Sequence, residues 1–204
     1  MAGRPARGDT TAMRMLDVAE RLVQVRGYNG FSYADVAAEL RITKAALHYH
    51  FASKADLGAA LIDRYCDRLA ASLAELAAAE RSAPARLRGY AAVYRDMLDG
   101  ERLCLCGMLA AEYQTLPPVM QTAVIRFFTR NEAWLAEVLA DGAAAGEIQL
   151  AVSAQDAAVA LVAGLEGAML VTRPFNDVAR FDAAAGPLLA GLTGLTATPV
   201  PAGG

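Results

Sequence analysis

Histidine is scarce in this chain, with two among 204 residues, and both lie in one short segment as His48 and His50. A carboxylate-bridged di-iron site in a helical bundle needs Glu-x-x-His pairs, but the residues three positions before these histidines are Ala45 and Leu47. The spacing of the histidines and cysteines also differs from that of zinc sites. Neither a phosphate-binding glycine loop nor a nucleophile elbow is found. These absences argue against an enzyme, and we expect no cofactor and no metal site.

Cysteine is also sparse, and long apolar runs are missing. The three cysteines are expected to be thiols rather than disulfides. Every stretch of about 18 residues contains charges or helix breakers, so the sequence indicates no membrane span. The first residues, MAGRPARGDTT, lack the apolar core of a signal peptide. We therefore expect a cytoplasmic protein.

What the chain has in quantity is apolar residues, 55% of the total, with alanine heavily used. Alanine favours helix over strand, so the composition predicts an all-α protein. The net charge of −3 is unevenly distributed. Residues 1–54 carry eight Arg/Lys against five Asp/Glu, whereas residues 55–204 carry eleven against seventeen. A basic N-terminal part on an acidic remainder directs a polyanion such as DNA to one part of the chain.

Helical periodicity, caps and breakers predict about nine helices. The last helix can be capped by either Asn176 or Asp177, and Gly27 and Gly146 are expected to stop helices. The predicted helices cover about Thr10–Arg26, two short segments after Ser32 and Thr43, Lys54–Glu80, Ala83–Asp99, Leu103–Thr115, Pro118–Ala145, Ser153–Thr172 and a segment ending near Leu195.

The segment from Tyr28 to Leu57 predicts a helix-turn-helix. Ser32 with Asp35 reads as a capping box, and Val36, Ala37 and Leu40 form the buried face of the first helix. Thr43 can cap the second helix, in which Leu47 and Phe51 point inward, and Ser53 with Asp56 begins the next. The second helix then exposes Thr43, Lys44, His48, Tyr49 and His50 around Leu47. This layout is typical of a recognition helix that enters the DNA major groove.

Residues from about Thr10 to Arg64 resemble the N-terminal domain of the TetR family of repressors. The specific part is A-L-H-Y-H-F-x-S-K-x-D-L, from Ala46 to Leu57, preceded by G-Y-N-G-F-S, from Gly27 to Ser32. One position departs from the family pattern, because Arg41 stands where the family usually has glycine. If the backbone there is left-handed, arginine costs roughly 1 kcal/mol relative to glycine.

The resemblance implies a ligand-responsive transcriptional regulator, most simply a repressor that a small effector releases from a palindromic operator. Its expected partners are double-stranded operator DNA, a small-molecule effector and a second copy of the chain, with no membrane. The implied organisation is a flexible basic arm at 1–8, a helix-turn-helix domain at 9–64, a ligand-binding and dimerisation domain at 65–196, and a frayed tail at 197–204. The implied DNA-binding residues are Ser32, Tyr33, Thr43, Lys44, Ala45, Ala46, His48, Tyr49, His50 and Lys54.

Two features of the remaining helices bear on the effector. Glu112 and Glu166 each lie in an otherwise apolar segment, where a buried carboxylate needs a partner; a structural hydrogen bond, an exposed position or recognition of a cationic or hydrogen-bonding effector would each explain them. The expected effector-pocket residues are Tyr65, Cys66, Tyr94, Cys104, Met108 and Glu112. An alternative trigger is oxidation or electrophile modification of Cys66, Cys104 or Cys106, although buried cysteine is usually only a small apolar residue.

The last two helices are expected to carry the dimer interface. Their faces are small and apolar, and the resemblance implies a two-fold four-helix interface, with an ordinary internal helix as the alternative. The residues of these faces are Ala157, Ala160, Leu161, Gly164, Ala168, Val171, Ala184, Leu188, Leu189 and Leu192.

Overall fold

The computed structural model describes residues 7–193. The frayed tail predicted at 197–204 and most of the basic arm predicted at 1–8 lie outside these residues. Within them the chain forms nine α-helices and no strand, which confirms the all-α prediction. The helices are α1 Arg7–Arg26, α2 Tyr33–Leu40, α3 Lys44–His50, α4 Lys54–Ala79, α5 Ala83–Asp99, α6 Leu105–Ala111, α7 Pro118–Ala144, α8 Ala154–Thr172 and α9 Val178–Thr193.

Hydroxyl side chains begin the helices as their spacing predicts. The Ser32–Asp35 and Ser53–Asp56 pairs both form, with each carboxylate accepting from the backbone N–H of its serine. The Thr43 hydroxyl accepts a hydrogen bond from the backbone N–H of Ala46 at 3.2 Å. Of the two possible caps of α9, Asp177 accepts from the N–H of Ala179, whereas Asn176 is left-handed. These contacts satisfy N–H groups that a helix start leaves without partners.

Left-handed backbone ends several helices. Gly27 has φ +79° after α1, and Gly146 has φ +72° after α7. At the end of α2, Arg41 has φ 55° and ψ 44°. Its N–H donates to Ala38 O, and the N–H of Ile42 donates to Ala37 O, which is the Schellman pattern. Arginine therefore occupies a glycine-type turn at a cost of roughly 1 kcal/mol relative to glycine.

Helix α6 is shorter than the helix predicted over Leu103–Thr115. It begins only at Leu105 and ends at Ala111, and a 3₁₀ turn follows at Tyr113–Thr115. The Thr115 N–H and hydroxyl both bond to the carbonyl oxygen of Glu112. Leu116, which precedes Pro117, is extended, as proline requires of the residue before it. Glu112 thus lies at a helix end, where its carboxylate is free to bond elsewhere.

The described residues form two compact units. Unit 1 contains residues up to Cys66 together with Leu105–Ile125, and unit 2 contains Asp67–Cys104 and residues from Arg126 onward. In unit 1, α1 packs against α2 and α6, and α2 packs against α3. In unit 2, α5, α8 and α9 pack on one another. Unit 1, which contains the helix-turn-helix, therefore also includes Leu105–Ile125, a segment that the sequence analysis assigned to the domain at 65–196.

One helical stretch, Ala154–Phe175, is long and apolar enough to cross a membrane by length and composition. The sequence analysis predicts no membrane span here, because the charged residues Asp156 and Glu166 interrupt the stretch. Core helices of soluble proteins pass the same test, and α8 packs against α5 and α9 inside unit 2.

Candidate nucleic-acid interface

The helix-turn-helix rests on a closed apolar core in unit 1. Met15, Ala19 and Leu22 of α1 are almost completely buried, as their spacing predicts. Val36 of α2 and Leu47 of α3 are fully buried. Because α3 has only seven residues, the burial of Leu47 determines which of its faces points outward.

The outward face of α3 carries the predicted DNA-binding residues. Thr43, Lys44 and Ala45 are exposed at its start, and Ala46 is partly exposed. Tyr49 is 87% exposed and meets the His50 ring edge-on, with 5.2 Å between ring centroids. An aromatic ring with this degree of solvent exposure makes few contacts within its own chain. The surface made by Thr43, Lys44, Ala45, Ala46, Tyr49 and His50 is called the α3 surface below.

His48 is oriented by the chain around it. Its Nδ1 lies 3.1 Å from the carbonyl oxygen of Ala52, and its ring is 4.9 Å from that of Tyr33. The carbonyl requires a proton on Nδ1, so a neutral His48 has its other nitrogen, Nε2, as an acceptor. The side chain is exposed, and Nε2 is the atom of this ring available to a ligand.

The side chains of Ser32 and Tyr33, unlike those of the α3 surface, form hydrogen bonds within unit 1. The Ser32 hydroxyl bonds to Asp35 in the capping box, and these hydrogen bonds lower the pKa of the Asp35 carboxyl. Tyr33 is 9% exposed, and its hydroxyl donates to the carbonyl oxygen of Phe51 at 2.9 Å. Burial raises the pKa of Tyr33 to about 12, with smaller contributions from Asp56 and Tyr28. Tyr33 thus joins α2 to the end of α3.

Lys54, at the first position of α4, points into its own unit. Its Nζ donates to the carbonyl oxygens of Tyr28 and Phe31 at 2.5 and 2.6 Å. The same ammonium lies 4.2 and 4.3 Å from the centroids of these two aromatic rings. Burial lowers the pKa of Lys54, and the charges of Glu112 and Asp35 oppose that shift. A lysine at a helix start is unfavourable in the helix dipole, and here carbonyl dipoles and ring faces offset that cost.

Glu112 bonds to the same loop from the other side. Its carboxylate accepts from the backbone N–H groups of Tyr28 and Asn29, and Asn29 also donates to the Thr115 hydroxyl at 2.7 Å. A Cβ on Gly27 would lie 2.8 Å from a Glu112 oxygen. Sequence reasoning missed this junction, since its partners lie more than 80 residues apart. We call Gly27, Tyr28, Asn29, Lys54 and Glu112 the loop junction.

Comparison with known proteins identifies the group to which this arrangement belongs. Residues 15–61 match the family described as bacterial regulatory proteins, tetR family, and residues 83–186 match the tetracyclin repressor-like C-terminal domain. The chain belongs to the TetR family.

Individual relatives of this TetR-family chain agree. It is 30% identical over 150 residues to the transcriptional regulator AcuR of Cereibacter sphaeroides, covering 71% of this chain and 68% of that protein. It is 27% identical over 146 residues to the HTH-type transcriptional repressor DhaR of Mycobacterium sp. (strain GP1), covering 71% and 73%. A solved TetR-family regulator from Agrobacterium tumefaciens is 33% identical with a TM-score of 0.88, covering 92% of this chain and all of that one.

The TetR-family chain is therefore a ligand-responsive, DNA-binding transcriptional regulator. TetR regulators bind operator DNA, dimerise and bind small-molecule effectors. Nothing in these likenesses favours a trigger by cysteine chemistry over reversible ligand binding.

The six predicted effector-pocket residues of this TetR-family chain are divided between the two units. Tyr65, Cys66, Met108 and Glu112 belong to unit 1, and Tyr94 and Cys104 belong to unit 2. Each carboxylate oxygen of Glu112 already accepts a backbone N–H in the loop junction. Cys66, Cys104 and Cys106 are reduced and buried.

Unit 2 contains a buried polar cluster around Tyr94 and Cys104. The hydroxyls of Tyr90 and Tyr94 are 3.0 Å apart, and Trp134 stacks on the Tyr90 ring at 5.9 Å and 23°. The backbone N–H of Cys104 donates to the sulfur of Met169 at 3.1 Å. Glu166 completes the cluster. Sequence reasoning singled out Glu166 by its apolar surroundings but had no means of finding its neighbours.

Proposed function

We propose that the protein is a repressor that binds a palindromic operator as a homodimer and leaves it when a small effector binds. The observation that carries this proposal is the α3 surface, in which Lys44 and Tyr49 are exposed and Leu47, on the opposite face of the helix, is buried. A helix held in this way at the edge of a helix-turn-helix fits the major groove.

The proposed contacts divide by distance from the start of α3. Lys44, Ala45 and Ala46 lie at the N-terminal end, which is the end that reaches base edges in this motif, with Thr43 beside them. His48, Tyr49, His50 and Lys54 are assigned mainly to phosphates, and Ser32 and Tyr33 to the flank of the same site. Phosphate contacts position the protein and base contacts specify the sequence. Lys54 has three N–H donors and two are used in the loop junction, which leaves one for a phosphate.

The proposed dimer interface is the outward face of α8 with α9. The predicted faces need revision, because Ala157 and Leu161 are fully buried within the chain and a Cβ on Gly164 would lie 2.4 Å from Leu188. The small and apolar residues of α8 that remain exposed are Val159, Ala163, Gly167, Leu170 and Val171. Leu170 and Val171 are 55% and 64% exposed, and such a continuous apolar face is typical of an interaction surface.

The proposed switch uses α4, one continuous helix of 26 residues that begins at the loop junction. Its first residues belong to unit 1 and those from Asp67 onward to unit 2. An effector that changes the orientation of α4 would change the separation of the two recognition helices in the dimer. Since half-sites are spaced by fixed turns of DNA, a shift of a few ångströms would prevent simultaneous docking. A difference of a few kcal/mol between the two states is enough to shift the population.

The proposal also covers where the protein acts in the cell and a second way in which it could be triggered. A regulator of this kind acts on chromosomal DNA, so we expect it in the cytoplasm and without a membrane partner. Triggering through Cys66, Cys104 or Cys106 is the second candidate, and the burial of all three thiols makes reversible ligand binding the better-supported trigger.

Selection from random double-stranded DNA with the purified full-length protein tests the proposal. We expect enrichment of a palindrome whose half-site centres are about one helical turn apart, or a multiple of this. Lys44→Ala should make the enriched sequence less strictly defined. Tyr49→Phe, which removes only the hydroxyl, should weaken binding and leave the enriched sequence unchanged. A non-palindromic sequence, or no enrichment, would contradict a dimeric sequence-specific repressor.

A further inference from the structure

The carboxylate of Glu166 lies in unit 2 with one oxygen unsatisfied. The Oε1 atom is buried and has no hydrogen-bond partner among the described residues, although part of the residue's surface is exposed. Among the described residues, the Cys104 thiol acts on this carboxyl as a side-chain hydrogen-bond donor. Burial raises the pKa of Glu166 to about 7, and the Cys104 hydrogen bond opposes the shift. A buried acceptor without a donor is costly in a folded protein.

The cluster around Glu166 contains aromatic side chains, and a second acid, Glu132, acts on Tyr90 within it. Helix α8, which carries Glu166, packs against α5, which carries Tyr90 and Tyr94, and the charge of Glu166 is among the causes that raise the pKa of both tyrosines. Both tyrosines are almost completely buried, and Trp134 stacks on Tyr90. No lysine, arginine or histidine contributes to the Glu166 shift. Arg95, on the same helix as Tyr90 and Tyr94, is paired with Asp99 and Asp182.

These observations together specify what would complete the cluster. A positively charged donor would satisfy Oε1 and neutralise the buried carboxylate, and charge-assisted hydrogen bonds are stronger than neutral ones. Aromatic faces such as Trp134 and Tyr90 attract the same charge. An anion would be repelled by the carboxylate, and a neutral donor would leave the charge uncompensated.

We infer that unit 2 binds a small organic ammonium compound at a site formed by Tyr90, Tyr94, Cys104, Trp134 and Glu166, with Glu166 as its counter-ion. The inference rests on the proposed function in one respect only, since it names the chemical class of the effector. Binding at the site can be measured without DNA, so the two can fail separately.

The direct test is calorimetric titration of the full-length protein with phenethylammonium chloride, compared with 2-phenylethanol as a neutral probe of similar shape. We expect the ammonium to bind more tightly than the alcohol. Glu166→Gln should weaken ammonium binding about tenfold or more and leave alcohol binding unchanged. The control Glu137→Gln, an exposed carboxylate on the same helix as Trp134, should leave both unchanged. Trp134 is the chain's single tryptophan, so its fluorescence reports the same events optically.

Proton release gives a second readout that does not depend on the variant folding. At pH 6.5, binding of the ammonium to the wild type should release up to about one proton, detected from binding heats in buffers of different ionisation enthalpy. The other titratable groups of the site are the Tyr90 and Tyr94 hydroxyls, whose pKa values are raised, and the Cys104 thiol. Glu132 on α7 also acts on Tyr90.

Three results would overturn the inference. They are equal binding of the alcohol and the ammonium, ammonium binding that survives Glu166→Gln, and no binding of either probe up to millimolar concentration. Ammonium binding that depends on Glu166 but does not release DNA would uphold the site and contradict its role as the effector site.

Discussion

At the scale of single residues, the loop junction depends on a missing side chain. Gly27 combines a left-handed φ of +79° with an approach of Glu112 that leaves no room for a Cβ. Gly146 has a similar φ of +72°, but a Cβ there would meet nothing within 4 Å. The two glycines therefore separate the cost of backbone strain from the cost of collision.

We predict that Gly27→Ala destabilises the protein more than Gly146→Ala does. Strain alone should cost about 1 kcal/mol at either position, and displacement of Glu112 should add at least about 1 kcal/mol at Gly27 through its lost hydrogen bonds. Denaturant unfolding measures the difference. When Glu112 is already alanine, the further change Gly27→Ala should cost only the backbone strain. Equal costs for Gly27→Ala and Gly146→Ala in the wild-type background would argue against the junction.

Glu166 makes a prediction about pH. The pKa of this carboxyl is raised from 4.5 to about 7 in the folded state. Its contribution to the free energy of unfolding is therefore fully present below about pH 4.5 and is lost as the pH rises through 7. Glu166→Gln stays neutral throughout. Relative to wild type, this variant should therefore gain stability between pH 5 and pH 8, by on the order of 1 to 3 kcal/mol. Thermal unfolding across that range measures it, and a constant difference would mean that Glu166 is not buried as an acid.

At the scale of elements, the start of α4 connects two functions. Lys54 holds the loop before α2 through two carbonyl oxygens, and it is also proposed to contact a DNA phosphate. Lys44, at the start of α3, is exposed and provides the matched control, a lysine that is proposed to contact DNA at base edges without holding the loop.

We predict that Lys54→Ala weakens binding to specific and non-specific DNA alike and reduces the salt slope by about 1. It should also lower the thermal unfolding temperature, whereas Lys44→Ala should alter DNA binding with no loss of stability. Anisotropy titrations over a range of salt concentrations, with thermal unfolding, distinguish the cases. A Lys54→Ala protein that is less stable but keeps the wild-type salt slope would show that the lysine is structural only.

At the scale of the whole molecule, the packing of α8 determines which positions report on assembly. Gly164 is close to Leu188 in the same chain, whereas a Cβ on Gly167 would meet nothing within 4 Å. A charge at Gly164 or Leu188 would thus disturb unit 2 itself. Gly167 is the position where a charge tests the dimer alone.

We predict that Gly167→Glu folds with wild-type helix content but weakens the dimer about 100-fold or more, because it buries an unpaired charge in the proposed interface. Sedimentation measures the change, and operator affinity should fall with it. Gly191→Glu, another position with nothing close to a Cβ but on α9, indicates how far the interface extends. An intact dimer in Gly167→Glu would move the interface away from the outward face of α8.

The sequence by itself determined the helices, most of their ends and the family. Caps such as Ser53–Asp56 and stops such as Gly27 act within a few residues, so their spacing predicts them. The recognition helix follows for the same reason, since burial of Leu47 and exposure of Tyr49 result from one short helical period.

Tertiary structure alone decided what the isolated charges do. Lys54 reaches loop carbonyls more than 20 residues away, and Glu112 reaches backbone N–H groups more than 80 away. The burial of Glu166 beside Tyr90 and Tyr94, and the direction in which Gly167 faces, likewise depend on how helices distant in sequence pack. Packing between helices determines the partner of such a side chain. Local periodicity does not encode it, because periodicity shows which face of a helix is apolar but not which other helix will cover that face.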